Sequence, residues 1–236
     1  MKFLTLVCLS LVCSTSLATP LGDFKAVFDV DAFGFTVGKA KQSFSCSGEL
    51  KKNCTLTSVA KPPSWAERFI NESSIEKVTI QQTANQFNWV NYQKDLTRRY
   101  DDRTEHKTIT LQKNIKSKRI TFIEKQKHWP IQEKIFDEIS IVYAIQHAIL
   151  NKMPLNNFYL QGDKVQQKLS IQIKSRSKII DLPIEEYVKT TLVIFKNANI
   201  HAKIWLINDK QYFPGRIEIE NKETNKTITL ELTKLK

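Results

Sequence analysis

Glycine is scarce in this chain: six occur in 236 residues, beside two methionines and four cysteines. So few glycines leave no room for a phosphate-cradling loop or a collagen repeat, and two methionines cannot line an adaptable Met-rich groove. The sequence holds no Gly-x-Ser-x-Gly elbow and no His-Glu-x-x-His run, so serine-hydrolase and zincin chemistry lack their usual carriers. Neither a cofactor nor a metal site is expected, and no internal repeat is visible. Beyond the first dozen residues no apolar run approaches the ~20 residues that span a bilayer. Acidic residues are outnumbered, 24 against 36 Lys and Arg, for a formal charge of +12. With 41% hydrophobic and 25% charged residues, the chain has enough apolar matter for one folded domain and a bias toward anionic partners.

What is present begins with a leader. Lys2 supplies a positive start, Phe3 to Val12 an apolar run, and Ser16-Leu17-Ala18 small residues around a cut, the pattern of a secretory signal peptide over 1–18. The mature chain is then one domain over 19–236, exported and, in the bacterial setting reached below, periplasmic. Loss of the leader removes one Lys and no acid and leaves +11. It also removes Cys8 and Cys13, so Cys46 and Cys54 remain as an even pair in an oxidising compartment, with turn-prone Gly48 and Asn53 between them. The spacing predicts a disulfide across a hairpin, without the C-x-x-C pattern of redox pairs or thiolate metal sites.

Period-two alternation dominates the rest, in segments such as Thr55 to Val59, Lys77 to Gln81, Phe87 to Tyr92, Lys107 to Leu111, Lys168 to Ile173, Tyr187 to Phe195 and Thr227 to Leu232. These read as antiparallel strands, and with no helices alternating between them a doubly wound parallel sheet is excluded. Two helices are expected. Ser64-Trp65-Ala66-Glu67 forms a capping box after Pro62-Pro63 and predicts a short helix near 64–73. Asp137 is a good N-cap for an apolar run that Pro154 stops, predicting a helix near 137–150 with Ile139, Val142, Tyr143 and Ile149 buried. That helix is apolar on nearly all sides and needs cover on more than one. The fold class is mainly β with minor α: a large curved antiparallel sheet around one buried helix.

The run Asp137-Glu138-Ile139-Ser140 into the helix, then Trp205-Leu206 with Asp209, then Pro214-Gly215-Arg216-Ile217-Glu218, resembles the bacterial exported family called domain of unknown function 3108. Glu138 and Gly215 stand where that pattern has Pro and Val. The resemblance covers essentially the whole mature chain and implies an unclosed barrel or half-barrel, similar to the half-barrels of periplasmic lipoprotein carriers. It transfers no catalytic residue.

Candidate sites follow from charge. From Lys164 to Lys178 there are five basic residues and no acid. In an exported chain such a stretch meets anionic lipid or an envelope polymer, and nucleic acid is excluded as a partner. Lys174, Arg176 and Lys178, with Arg216, are the expected rim of a site for an anionic or amphipathic cell-envelope molecule, bound without being transformed. The competing readings are an envelope-polymer hydrolase using Asp101, Asp102 or Glu218, and a scaffold without a small ligand. The cluster Asp101 to His106 reads as a polar hairpin turn neutralised by Arg103. His147 lies in the apolar helix and reads as a buried neutral imidazole.

Overall fold

The computed structural model describes residues 18–32, 34–49, 52–62 and 71–236. The leader up to residue 17 and residues 63–70 of the expected short helix lie outside them. Eight strands come first: β1 (Phe24–Ala32), β2 (Phe35–Ser47), β3 (Lys52–Lys61), β4 (Glu72–Thr83), β5 (Gln86–Arg99), β6 (Thr104–Asn114), β7 (Arg119–Phe122) and β8 (Lys127–Pro130). A middle segment holds β9 (Lys134–Phe136), α1 (Ser140–Leu150), β10 (Phe158–Gln161) and β11 (Gln166–Lys168). Five more strands close the chain: β12 (Ser170–Leu182), β13 (Glu185–Lys196), β14 (Ile200–Ile207), β15 (Phe213–Asn221) and β16 (Lys226–Leu235).

The first and last groups are two antiparallel meanders, joined where β16 pairs with β1 in the middle of one sheet. That sheet has thirteen strands, ends at β12 on one side and β8 on the other, and is not closed into a barrel. The middle segment links its two ends and forms a small sheet, β11-β10-β9, whose β9 and β10 run parallel. The class expected from the alternation, mainly β with one buried helix, is the class observed.

One face of the large sheet is buried by the alternation itself. On β4, Glu76, Val78, Ile80 and Gln82 all point inward, as period two requires. A bulge opposite Thr79 and Ile80 then shifts the parity of β5, so that Phe87 and Trp89 as well as Tyr92 and Leu96 are buried. Against this face lies α1, buried at every position from Ser140 to Ile149. Phe24 ties the layers together, with ring centroids 5.0 Å from both Tyr143 of α1 and Phe213 of β15, and 5.6 Å from Phe44 of β2. Cys46 and Cys54 stand opposite one another on β2 and β3 and are bonded as a disulfide.

α1 lies at the border of the sheet that carries the β4–β5 and β14–β15 turns. His147 Nε2 donates to the Thr83 carbonyl at 3.2 Å and Gln146 Nε2 to that of Gln211 at 3.0 Å. At its C-terminal end, Asn151 accepts from the Thr19 N–H at 2.6 Å and donates to the Thr19 carbonyl at 2.9 Å.

Two expectations need correction, the end of the short helix and the burial of Ile139. The helix near 64–73 cannot reach its stated end, because Glu72 and Ser73 already belong to β4, where they pair across to Arg98 and Thr97. Helix α1 is assigned from Ser140, although the Ile141 N–H already bonds to the Asp137 carbonyl, so the first turn starts at Asp137 as its chemistry requires. Ile139 is half-buried, not buried like Ile141 and Ile145. The departure at Gly215 has a packing reason: a Cβ there would sit 2.6 Å from Leu182 Cδ1 and 2.9 Å from Ile207 Cγ1, which fill the space a valine would need.

Candidate functional site

Four adjacent strands place polar side chains directly opposite one another: Gln42 on β2, Ser58 on β3, Glu76 on β4 and Lys94 on β5. The register turns them into a row across the inner face. Burying such groups without partners costs several kcal/mol each, about 2–7 by transfer, and the row meets that requirement internally. Tyr143 O–H donates to Gln42 Oε1, and Gln42 Nε2 to Ser58 Oγ at 3.4 Å. Glu76 takes the Tyr92 O–H at 2.6 Å and Ser74 Oγ at 3.2 Å, with Lys94 Nζ 3.5 Å away. Burial and then the Glu76 charge push the Tyr92 phenol far up, so it serves as a donor and not as a base. Every ionised group of the row has a partner, which makes it a clamp between the strands and α1.

Asp137 begins the turn into α1. Its carboxyl accepts from the N–H of Ile139 at 2.9 Å, the N–H of Ser140 at 3.0 Å and the Ser140 hydroxyl at 2.5 Å. Burial still raises its pKa, against the lowering effect of those bonds. His147 is held below its ordinary value, again by burial.

Along the border with the β13–β14 and β15–β16 turns a groove of about 880 Å³ opens. Lys168, Lys196 and Lys222 supply its charge, Leu155, Leu169 and Ile171 its apolar surface, and no acidic side chain is among its described lining. An asparagine turn builds part of its rim. Asn197 Oδ1 accepts the N–H groups of Asn199 and Ile200, both at 2.8 Å, and the Asn197 carbonyl receives Lys222 Nζ at 3.1 Å. A second cleft of about 490 Å³ lies between β1, β2, β3, β4 and β16, bordered by Val30, Val37, Ala60 and Ile228, with Lys61, Lys226 and the acidic Glu72 beside it.

Lys174, Arg176 and Lys178 are exposed on β12, the free edge of the sheet, and are not among the described lining of either cleft. The main chain there is irregular: the Arg176 carbonyl accepts from Asn208 Nδ2 and the Lys178 carbonyl from Thr190 Oγ1. Arg216 is engaged within the fold, ion-paired to Glu231 of β16 at 2.5 Å, 5.7 Å above the Trp205 ring, and donating to the Asp181 carbonyl. Its sequence neighbour Glu218 pairs instead with Lys203 at 2.5 Å. Asp101 and Asp102 occupy the β5–β6 turn, where Arg103 reaches Asp102 at 3.4 Å and Glu105 at 3.0 Å. The turn and Glu218 sit on distant strands, so these carboxylates do not converge. Among the described residues no group of three His, Cys, Asp or Glu is placed to hold a metal ion, and no helix is long and apolar enough to cross a membrane. Of the groove lysines, only Lys168 lies in the acid-free stretch. Lys196 and Lys222 escape sequence reading, although each stands next to an asparagine-rich turn.

No family model matches the chain and no curated protein matches it. Among solved structures, a beta-barrel-like protein of domain of unknown function DUF1849 from Brucella abortus is similar, with a TM-score of 0.56 and 8% identity over 92% of this chain and 98% of that one. At that identity the likeness shows the fold alone: a beta-barrel-like domain. The resemblance to domain of unknown function 3108 is not carried by any family model.

Proposed function

We propose that this protein is an exported, non-enzymatic binding or carrier module for an anionic, amphipathic molecule of the cell envelope, related to domain of unknown function 3108. Its leader is 1–18 and its mature domain 19–236. The observation that carries the reading is the groove in which Lys168, Lys196 and Lys222 face Leu155, Leu169 and Ile171 with no described acid between them. Three ammonium groups attract a phosphate or carboxylate head, and the apolar side chains take methylene groups at about 0.8 kcal/mol each. Lys174 and Arg176 extend the positive potential along β12. The disulfide and the lack of a long apolar helix among the described residues fit an exported chain.

The test is binding of the mature protein to vesicles of phosphatidylglycerol and of phosphatidylcholine. Preference for the anionic vesicles is expected, weakened by salt because screening acts on the exposed charges. Joint replacement of Lys168, Lys196 and Lys222 by Gln should remove the preference, and replacement of Lys174, Arg176 and Lys178 should reduce it less. Equal binding to both vesicles sinks the lipid reading, and retention by an anionic polysaccharide alone would move the assignment to an envelope polymer.

A further inference from the structure

The segment 153–158, whose middle residues Leu155 to Asn157 line the groove, also borders a separate cavity of about 260 Å³ through Met153, Pro154 and Phe158. Phe87, Phe136 and Phe158 form its aromatic wall, and Ala144 and Ala148 of α1 open space beneath it. His147 lines it and is 1% exposed. Because its Nε2 faces the Thr83 carbonyl, which can only accept, that nitrogen carries the proton. Nδ1 is then an acceptor, and it has no hydrogen-bond partner among the described residues. The lowered pKa of His147 keeps the imidazole in this neutral form.

Lys134 stands at the cavity with its ammonium 5.2 Å from the Phe158 ring centroid, donating to the carbonyls of Pro154 at 2.9 Å and Asn156 at 3.3 Å. Those two bonds use two of its three N–H groups and leave its charge without a carboxylate in ion-pair contact among the described residues. Glu133, the acidic residue of the lining, is exposed.

We propose that this cavity binds a small single-ring carboxylate bearing a hydroxyl group. Its carboxylate meets Lys134, its ring lies among the three phenylalanines, and its hydroxyl donates to His147 Nδ1. The volume sits below the ~300 Å³ at which pockets for drug-sized ligands begin, which favours one ring over a lipid chain. A neutral acceptor at the cavity adds selectivity for the hydroxylated ligand, since an analogue without the O–H cannot make that bond.

The probes are 4-hydroxybenzoate, benzoate and phenol, titrated into the mature protein by calorimetry and by the methyl signal of ¹³C-labelled methionine. Met153 lines the cavity, and the other methionine, Met1, lies in the leader, so the methyl signal reports on this site. The expected order is 4-hydroxybenzoate tightest, with benzoate about three- to tenfold weaker, the range of one hydrogen bond. Lys134→Met should bring 4-hydroxybenzoate to the level of phenol, and His147→Phe should erase its advantage over benzoate. Should His147→Phe fail to fold, the Lys134→Met result and the probe order still decide. The triple Gln variant of the groove should leave this binding unchanged, which separates the two sites. No shift of the Met153 methyl with any probe, or affinities indifferent to Lys134→Met, overturns the proposal.

Discussion

At the residue scale, the buried ionisable groups set the pH response of the fold. Asp137 has a raised folded pKa, so the folded state holds its proton more tightly than the unfolded state. Its contribution is therefore favourable below the unfolded value near 3.8 and is lost as pH rises through the folded value. Asp137→Asn keeps an oxygen for the N–H groups of Ile139 and Ser140 and removes the buried charge. Urea unfolding should show the variant gaining on wild type between acidic and neutral pH, and a variant that instead loses on wild type over that range would mean that the carboxylate is needed as a charge. His147 acts in the opposite sense: with a lowered folded value, it withdraws stability as pH falls below its unfolded value near 6.5.

At the scale of elements, α1 is the piece on which the interior depends. Ile145 is fully buried and Ile139 is half-buried at its start. Ile145→Ala should cost about 2–5 kcal/mol, the range for a large aliphatic in a packed core, and Ile139→Ala clearly less, by chemical denaturation. Equal costs would place the helix differently from the structure. This helix was legible because Asp137 and Pro154 punctuate an apolar run, and the Cys46–Cys54 hairpin because both cysteines flank turn residues. The row from Gln42 to Lys94 was not. Glu76 and Lys94 occupy alternating positions where a charge normally signals the solvent side, and only the register of four strands shows them facing inward. The strands β9 and β11 escape for a simpler reason, since three residues carry no readable period. The groove depends on Lys168, Lys196 and Lys222, which only the folded sheet brings together.

For the whole molecule, the seam between β16 and β1 has a consequence in time. Each meander is built from neighbours in sequence, but the two meet only when the last strand pairs with the first, with Lys25 and Lys236 exchanging main-chain hydrogen bonds at 2.8 and 2.9 Å. Contacts of such long sequence separation form slowly, because loop closure must precede them. A chain that lacks β16 leaves its two meanders unjoined. Truncation before Lys226 should therefore abolish cooperative unfolding, measured by circular dichroism against urea, and a truncated chain that still unfolds cooperatively would show that one meander suffices. Without β16, β15 and β1 would each present an unpaired edge in the middle of the sheet, so this one strand decides whether the molecule has two free edges or four.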